Sequence, residues 1–144
     1  MSLNEKIWMP HFKFIIQTIA VTYPTHPNDV SKKKYYDFIQ NLPVFIPMKP
    51  LGDDFIKMLD DFPVTSYLDS RKSFMKWVHF INNKLNKKMN LPEEDFHDSL
   101  EKYYNEYKPK DIQMKEIYKS REKYIKVGLF ASLLLIIYYF YNRD

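Results

Sequence analysis

The run from Phe74 to Pro92 constrains the fold more than any other part of the chain. Phe74, Trp77, Val78, Ile81, Leu85 and Met89 recur at i, i+3, i+4, i+7, i+11 and i+15. That spacing is one buried stripe on an α-helix. Asp69 or Ser70 is placed to cap its start, and Pro92 lies just past its end. A stripe of this length needs other helices to bury it. Nine prolines against two glycines in 144 residues favour short helices with firm stops over a turn-rich β fold. The expectation is an all-α chain, with a compact bundle of four or five helices over residues 1–108.

The flanking segments supply the partners. The opening residues, with Glu5, Lys6, Trp8 and Pro10, do not read as a cleavable signal peptide. From His11 to Tyr23 an apolar side runs through Phe12, Phe14, Ile15, Ile16, Ile19 and Ala20, and Pro24 stops it. A second helix, Val30 to Leu42, is expected behind a cap at Asn28 or Asp29, with Tyr35, Phe38, Ile39 and Leu42 turned inward. Pro43 ends it. After the loop Phe62–Asp69 comes the central helix. Beyond Pro92 the acids Glu93, Glu94 and Asp95 open another helix, as the helix dipole favours. Phe96, Leu100, Tyr103, Tyr104 and Tyr107 form its apolar-aromatic side, and Pro109 closes the bundle.

Past Pro109 the composition changes twice. Residues 109–123 are charged and helix-prone, and Val127 to Tyr141 is an uncharged run. At 1.5 Å per residue that run spans about 22 Å, or about 27 Å if it starts at Tyr124, the short end for a bilayer core of roughly 30 Å. The expectation is a C-terminal transmembrane helix over 124–142 that contacts lipid. A buried core helix is the competing reading. Lys115, Lys119, Arg121, Lys123 and Lys126 precede the run, and Arg143 and Asp144 follow it. The positive-inside rule then puts the bundle on the cytosolic side of a tail-anchored, single-pass protein.

Several chemistries are excluded by what the chain lacks. It has no cysteine, hence no disulfide, no thiolate nucleophile and no thiolate metal ligand. A reducing compartment suits such a chain. The net charge of +4 is spread over amphipathic helices with no arginine cluster, so no nucleic-acid partner is expected. Neither a phosphate loop nor a metal-ligand spacing stands out. The pairs Asp53–Asp54, Asp60–Asp61 and Glu93–Glu94 read as surface charges. His11, His26 and His97 read as surface residues, and His79 as a partly buried structural histidine beside the stripe.

Residue order adds a family resemblance. Trp77 and the run Asn82-Asn83-Lys84-Leu85-Asn86-Lys87-Lys88-Met89, followed by Pro92, resemble the flavin-binding helix of the Erv/ALR sulfhydryl oxidase family. Gln17-Thr-Ile-Ala-Val-Thr-Tyr-Pro24 resembles its first helix: Ala20, Tyr23 and Pro24 fit, while Lys13 stands where the family has Trp and Gln17 where it has His. In the central helix Asn82 replaces a family His, and Asn83 and Asn86 match. At Pro47-Met-Lys-Pro-Leu-Gly the family has Pro-Cys-x-x-Cys-Ala, so Met48 and Leu51 occupy the two redox cysteine positions. The resemblance covers roughly residues 8–108. It implies an Erv/ALR-like bundle that can dimerise through its helices. It also implies a vestigial FAD site at Asn83, Asn86, Lys87 and Tyr23, of which the two asparagines also suit capping or an interface.

Thiol–disulfide exchange needs a thiolate attacking a sulfur–sulfur bond, which a thioether and an isobutyl group cannot do. Both fill an apolar hole well. With the dithiol and two histidines missing, the expectation is a catalytically inactive homologue without cofactor or metal. Its expected setting is the inner membrane of a large nucleocytoplasmic DNA virus. There it would be a minor structural protein linking membrane and capsid proteins. The alternative is an FAD-binding protein that works with a cysteine-bearing partner.

Overall fold

The computed structural model describes residues 3–142. Met1, Ser2 and the expected flank Arg143–Asp144 lie outside them. The described residues form six α-helices: α1 (Glu5–Val21), α2 (Asp29–Asn41), α3 (Lys49–Asp61), α4 (Arg71–Lys88), α5 (Phe96–Asn105) and α6 (Lys110–Tyr141), with 3-10 turns at Leu42–Phe45 and Val64–Tyr67. They divide into two units, one up to Tyr103 and one from Tyr104 onward.

The first unit is built on α4. Phe74, Trp77, Val78, Ile81 and Leu85 are all buried and Met89 is partly so, as their spacing predicts. Ser70 is the cap, its hydroxyl accepting from the Ser73 amide at 3.2 Å. Trp77 Nε1 donates to the Phe62 carbonyl at 2.9 Å, which anchors the loop after α3. Against this face pack Met9, Ile16 and Ala20 of α1, Ile39 of α2, and Leu51, Phe55, Met58 and Leu59 of α3. Asn28 caps α2, its side chain accepting from the Ser31 amide at 2.8 Å.

Local departures from the sequence reading have physical causes. α1 begins at Glu5, six residues before the expected His11, and Pro10 lies inside it. Asn4 caps this earlier start by accepting from the Lys6 amide. Burial of Met9 and an edge-to-face Trp8–Phe12 pair with centroids 5.8 Å apart hold the added turn. Phe38, expected inward, is exposed, and so are Tyr104 and Tyr107.

The second unit is α6 and the turn before it. Gln113 Nε2 donates to the Asn105 and Lys108 carbonyls at 2.7 and 2.8 Å, and Lys108 pairs with Glu116 at 3.1 Å. The expected transmembrane span over 124–142 is not met: among the described residues no helix is long and apolar enough to cross a membrane. α6 runs for 32 residues, but Glu122, Lys123 and Lys126 interrupt its apolar part. What remains uncharged, residues 127–141, is about 22 Å long against roughly 30 Å of hydrocarbon. No described side chain in that stretch is buried.

Candidate functional site

Met48 and Leu51 sit at the start of α3. Met48 is its N-cap residue, with an extended backbone and no side-chain capping bond. Its carbonyl accepts from the Gly52 amide at 2.9 Å. Leu51 is buried and Met48 is packed, partly buried, against the core. A cysteine pair at a helix N-terminus would have its thiolates favoured by the helix dipole. Here the two side chains contribute apolar packing, and neither can form a disulfide or exchange with one.

A cleft lies between α1, α4 and α5. Gln17 and Ala20 from α1, Val78, His79 and Asn82 from α4, and Ser99 from α5 are on its wall. The open space inside is about 10 Å³, room for about one water molecule. Gln17 Nε2 donates across it to the Ser99 carbonyl at 3.3 Å. His79 is edge-on to Phe96, with centroids 5.4 Å apart.

About one turn along α1 from Gln17 and along α4 from Asn82, a charge and an amide join the two helices. Lys13 Nζ donates to Asn86 Oδ1, and Asn86 Nδ2 donates to the Pro92 carbonyl at 3.1 Å. Asn86 is buried. Burial pushes the Lys13 ammonium below the ordinary lysine value, and the Glu94 carboxylate works against that shift. Asn83 holds Glu94 by both backbone groups: Nδ2 donates to the Glu94 carbonyl at 2.9 Å, and Oδ1 accepts from the Glu94 amide at 3.0 Å. Asn83 Nδ2 also lies 3.1 Å from His79 Nε2.

These bonds explain why asparagines stand here. α4 ends in a Schellman turn: the Leu91 amide donates to the Asn86 carbonyl at 2.8 Å, and the Asn90 amide to the Lys87 carbonyl at 3.2 Å. Asn90 takes the left-handed conformation the turn requires, with φ 55°. The chain then runs back along α4, and Asn86 and Asn83 tie down Pro92 and Glu94 in turn. Sequence reading passed over Asn90. Its signal was an Asn just past the last stripe residue and two before a proline.

The structure thus brings Asn83 and Asn86 together, with Lys13 added, but does not gather the four residues of the expected flavin site. Tyr23 is fully buried in the core, its hydroxyl donating to the Leu68 carbonyl at 2.7 Å and its ring edge-on to Tyr35 at 4.6 Å. Lys87 is exposed on the last turn of α4, where a cation complements the helix dipole. As the residues stand, they do not fit a flavin. Sites for ligands of that size enclose roughly 300–1,000 Å³, and the amides of Asn83 and Asn86 are already bonded within the protein. No group of three or more metal-ligating side chains occurs among the described residues.

A sequence model of the Erv1/Alr family matches residues 14–121. The chain belongs to the Erv1/Alr family. Relatives include "Putative FAD-linked sulfhydryl oxidase 096R" of Invertebrate iridescent virus 3, 24% identical over 93 residues, which are 65% of this chain and 63% of that protein. "Probable FAD-linked sulfhydryl oxidase R368" of Acanthamoeba polyphaga mimivirus is 29% identical over 69 residues, 47% of this chain and 48% of that protein. The Erv1/Alr match therefore spans about half to two thirds of those viral proteins' own lengths. Among solved structures, the yeast Erv1 core superposes with a TM-score of 0.62 at 22% identity, covering 67% of this chain and 80% of that one. The FAD binding domain of Erv1 from Saccharomyces cerevisiae gives the same TM-score and identity, with 90% of that chain covered. The all-α frame expected from the sequence is thus the Erv1/Alr frame.

Proposed function

We propose that this chain is an Erv1/Alr family member that does not oxidise thiols and serves as a structural, binding domain. One observation carries the reading: there is no cysteine in its 144 residues, so none of them can enter thiol–disulfide exchange. Packing of Met48 and Leu51 into the core supports it, because the frame is kept where the chemistry is lost. The test is oxygen consumption by the purified full chain with dithiothreitol as electron donor. The expected rate is that of buffer with free FAD. Turnover above that rate would overturn the reading.

The finer reading places the protein in a virus particle, as a minor structural component between an inner membrane and the capsid shell. Its support is the viral source of the two relatives and the exposed apolar side chains described within residues 127–139, which suit contact with lipid. Detection in purified particles of its source by mass spectrometry is expected; absence from them would refute that placement. A second reading is favoured by the relatives' names: an FAD-linked protein that acts on thiols only beside a cysteine-bearing partner, possible as one half of a heterodimer. It requires bound FAD, which makes the two readings separable.

A further inference from the structure

Three contacts tie together α1, α4 and the segment that leads through α5, and each uses a position that the family resemblance singles out. Lys13, at the family's Trp position, reaches Asn86, a residue 73 positions away. Gln17, at the first-helix His position, reaches the Ser99 carbonyl. Asn83, from the run that resembles the family's flavin-binding helix, holds Glu94 by both of its backbone groups. Between them they use both polar atoms of Asn83 and Oδ1 of Asn86, whose Nδ2 donates to the Pro92 carbonyl.

We propose that these side chains take the cofactor's place as the packing element of the cleft, so that the domain closes on itself and folds without FAD. The inference rests on the thiol-inactive reading above and says what fills the site. To admit a three-ring flavin, α5 would have to leave α1 and α4. That move breaks the Asn83–Glu94 pair, the Gln17–Ser99 bond and the 3.1 Å bond from the Tyr103 hydroxyl to Thr18 Oγ1. It also pulls the Pro92 carbonyl from the buried Asn86 amide, and buried polar groups that lose their partners oppose such an opening. The internal contacts need no ligand to form.

The experiment uses the full chain, expressed in flavin-replete cells, desalted, and then titrated with excess FAD. The expected result is no flavin absorbance after desalting and no change in Tm at saturating FAD, since a ligand of the folded state would raise it. Near-equimolar flavin or an FAD-dependent rise in Tm would overturn the proposal. Refolding from denaturant in flavin-free buffer is the second measurement. Recovery of helical circular dichroism and of the original Tm is expected, and recovery only with FAD present would also overturn it. Flavin retention without thiol oxidation would refute the closed cleft alone. Thiol oxidation would refute the thiol-inactive reading itself.

Discussion

Lys13 is the residue at which local chemistry is most exposed to test. Burial lowers its pKa in the folded chain, whereas the unfolded chain titrates at the ordinary value. Between the two values the unfolded state binds one more proton, so stability rises with pH there. Below both, the buried charge is a fixed cost; above both, the gain is complete. Lys13→Met should therefore remove a rise in urea midpoint that wild type shows as pH climbs toward the ordinary lysine value of 10.5. Lys32 and Lys102 shift the other way, through hydrogen bonds to Asp69 and Glu94, but they are common to both proteins and cancel in the comparison. Trp8 offers a second test. Its Nε1 is buried without a hydrogen-bond partner, a donor whose desolvation costs about 1–3 kcal/mol. Trp8→Phe keeps a ring against Phe12 and removes the donor, so equilibrium denaturation should show stability unchanged or higher.

Among the elements, α4 and its return loop explain most of what the sequence disclosed and what it hid. The stripe from Phe74 to Leu85, the Ser70 cap and the stop before Pro92 were legible because each depends on neighbours within a turn or two. Asn83 and Asn86 drew notice through family resemblance, but their partners could not be read. Glu94 and Pro92 come into reach only once Asn90 turns the chain back. Lys13 looked like a mere departure from the family pattern, since its partner lies on another helix. The expected transmembrane span failed on length, because charges flank an uncharged stretch of limited reach. Two substitutions test the loop. Asn83→Ala frees both backbone groups of Glu94 and should cost about 1–3 kcal/mol. Asn90→Val places a β-branched residue at positive φ and should cost about 1–2 kcal/mol. Both are measured by denaturant unfolding, and Asn90→Gly should be nearly neutral.

For the molecule as a whole, the longest run of exposed apolar side chains among the described residues is on α6. Leu129, Phe130, Leu135 and Ile137 are each more than 60% exposed, and Lys115, Lys119, Arg121, Lys123 and Lys126 precede the apolar stretch on the same helix. Such a basic flank is drawn to anionic headgroups. The full chain should float with anionic liposomes in a density gradient, and a chain lacking residues 127–141 should stay at the bottom. Flotation unaffected by the deletion would refute the assignment of lipid contact to this stretch.

The Asn83–Glu94 pair also bears on the order of folding. Its two residues are 11 apart in the chain, whereas Lys13 and Asn86 are separated by 73. Closing a short loop is entropically cheaper than closing a long one, so α4, its turn and the start of α5 form a local nucleus onto which α1 docks afterwards. Stopped-flow kinetics should then show Asn83→Ala slowing refolding, while Ile16→Ala on α1 chiefly speeds unfolding.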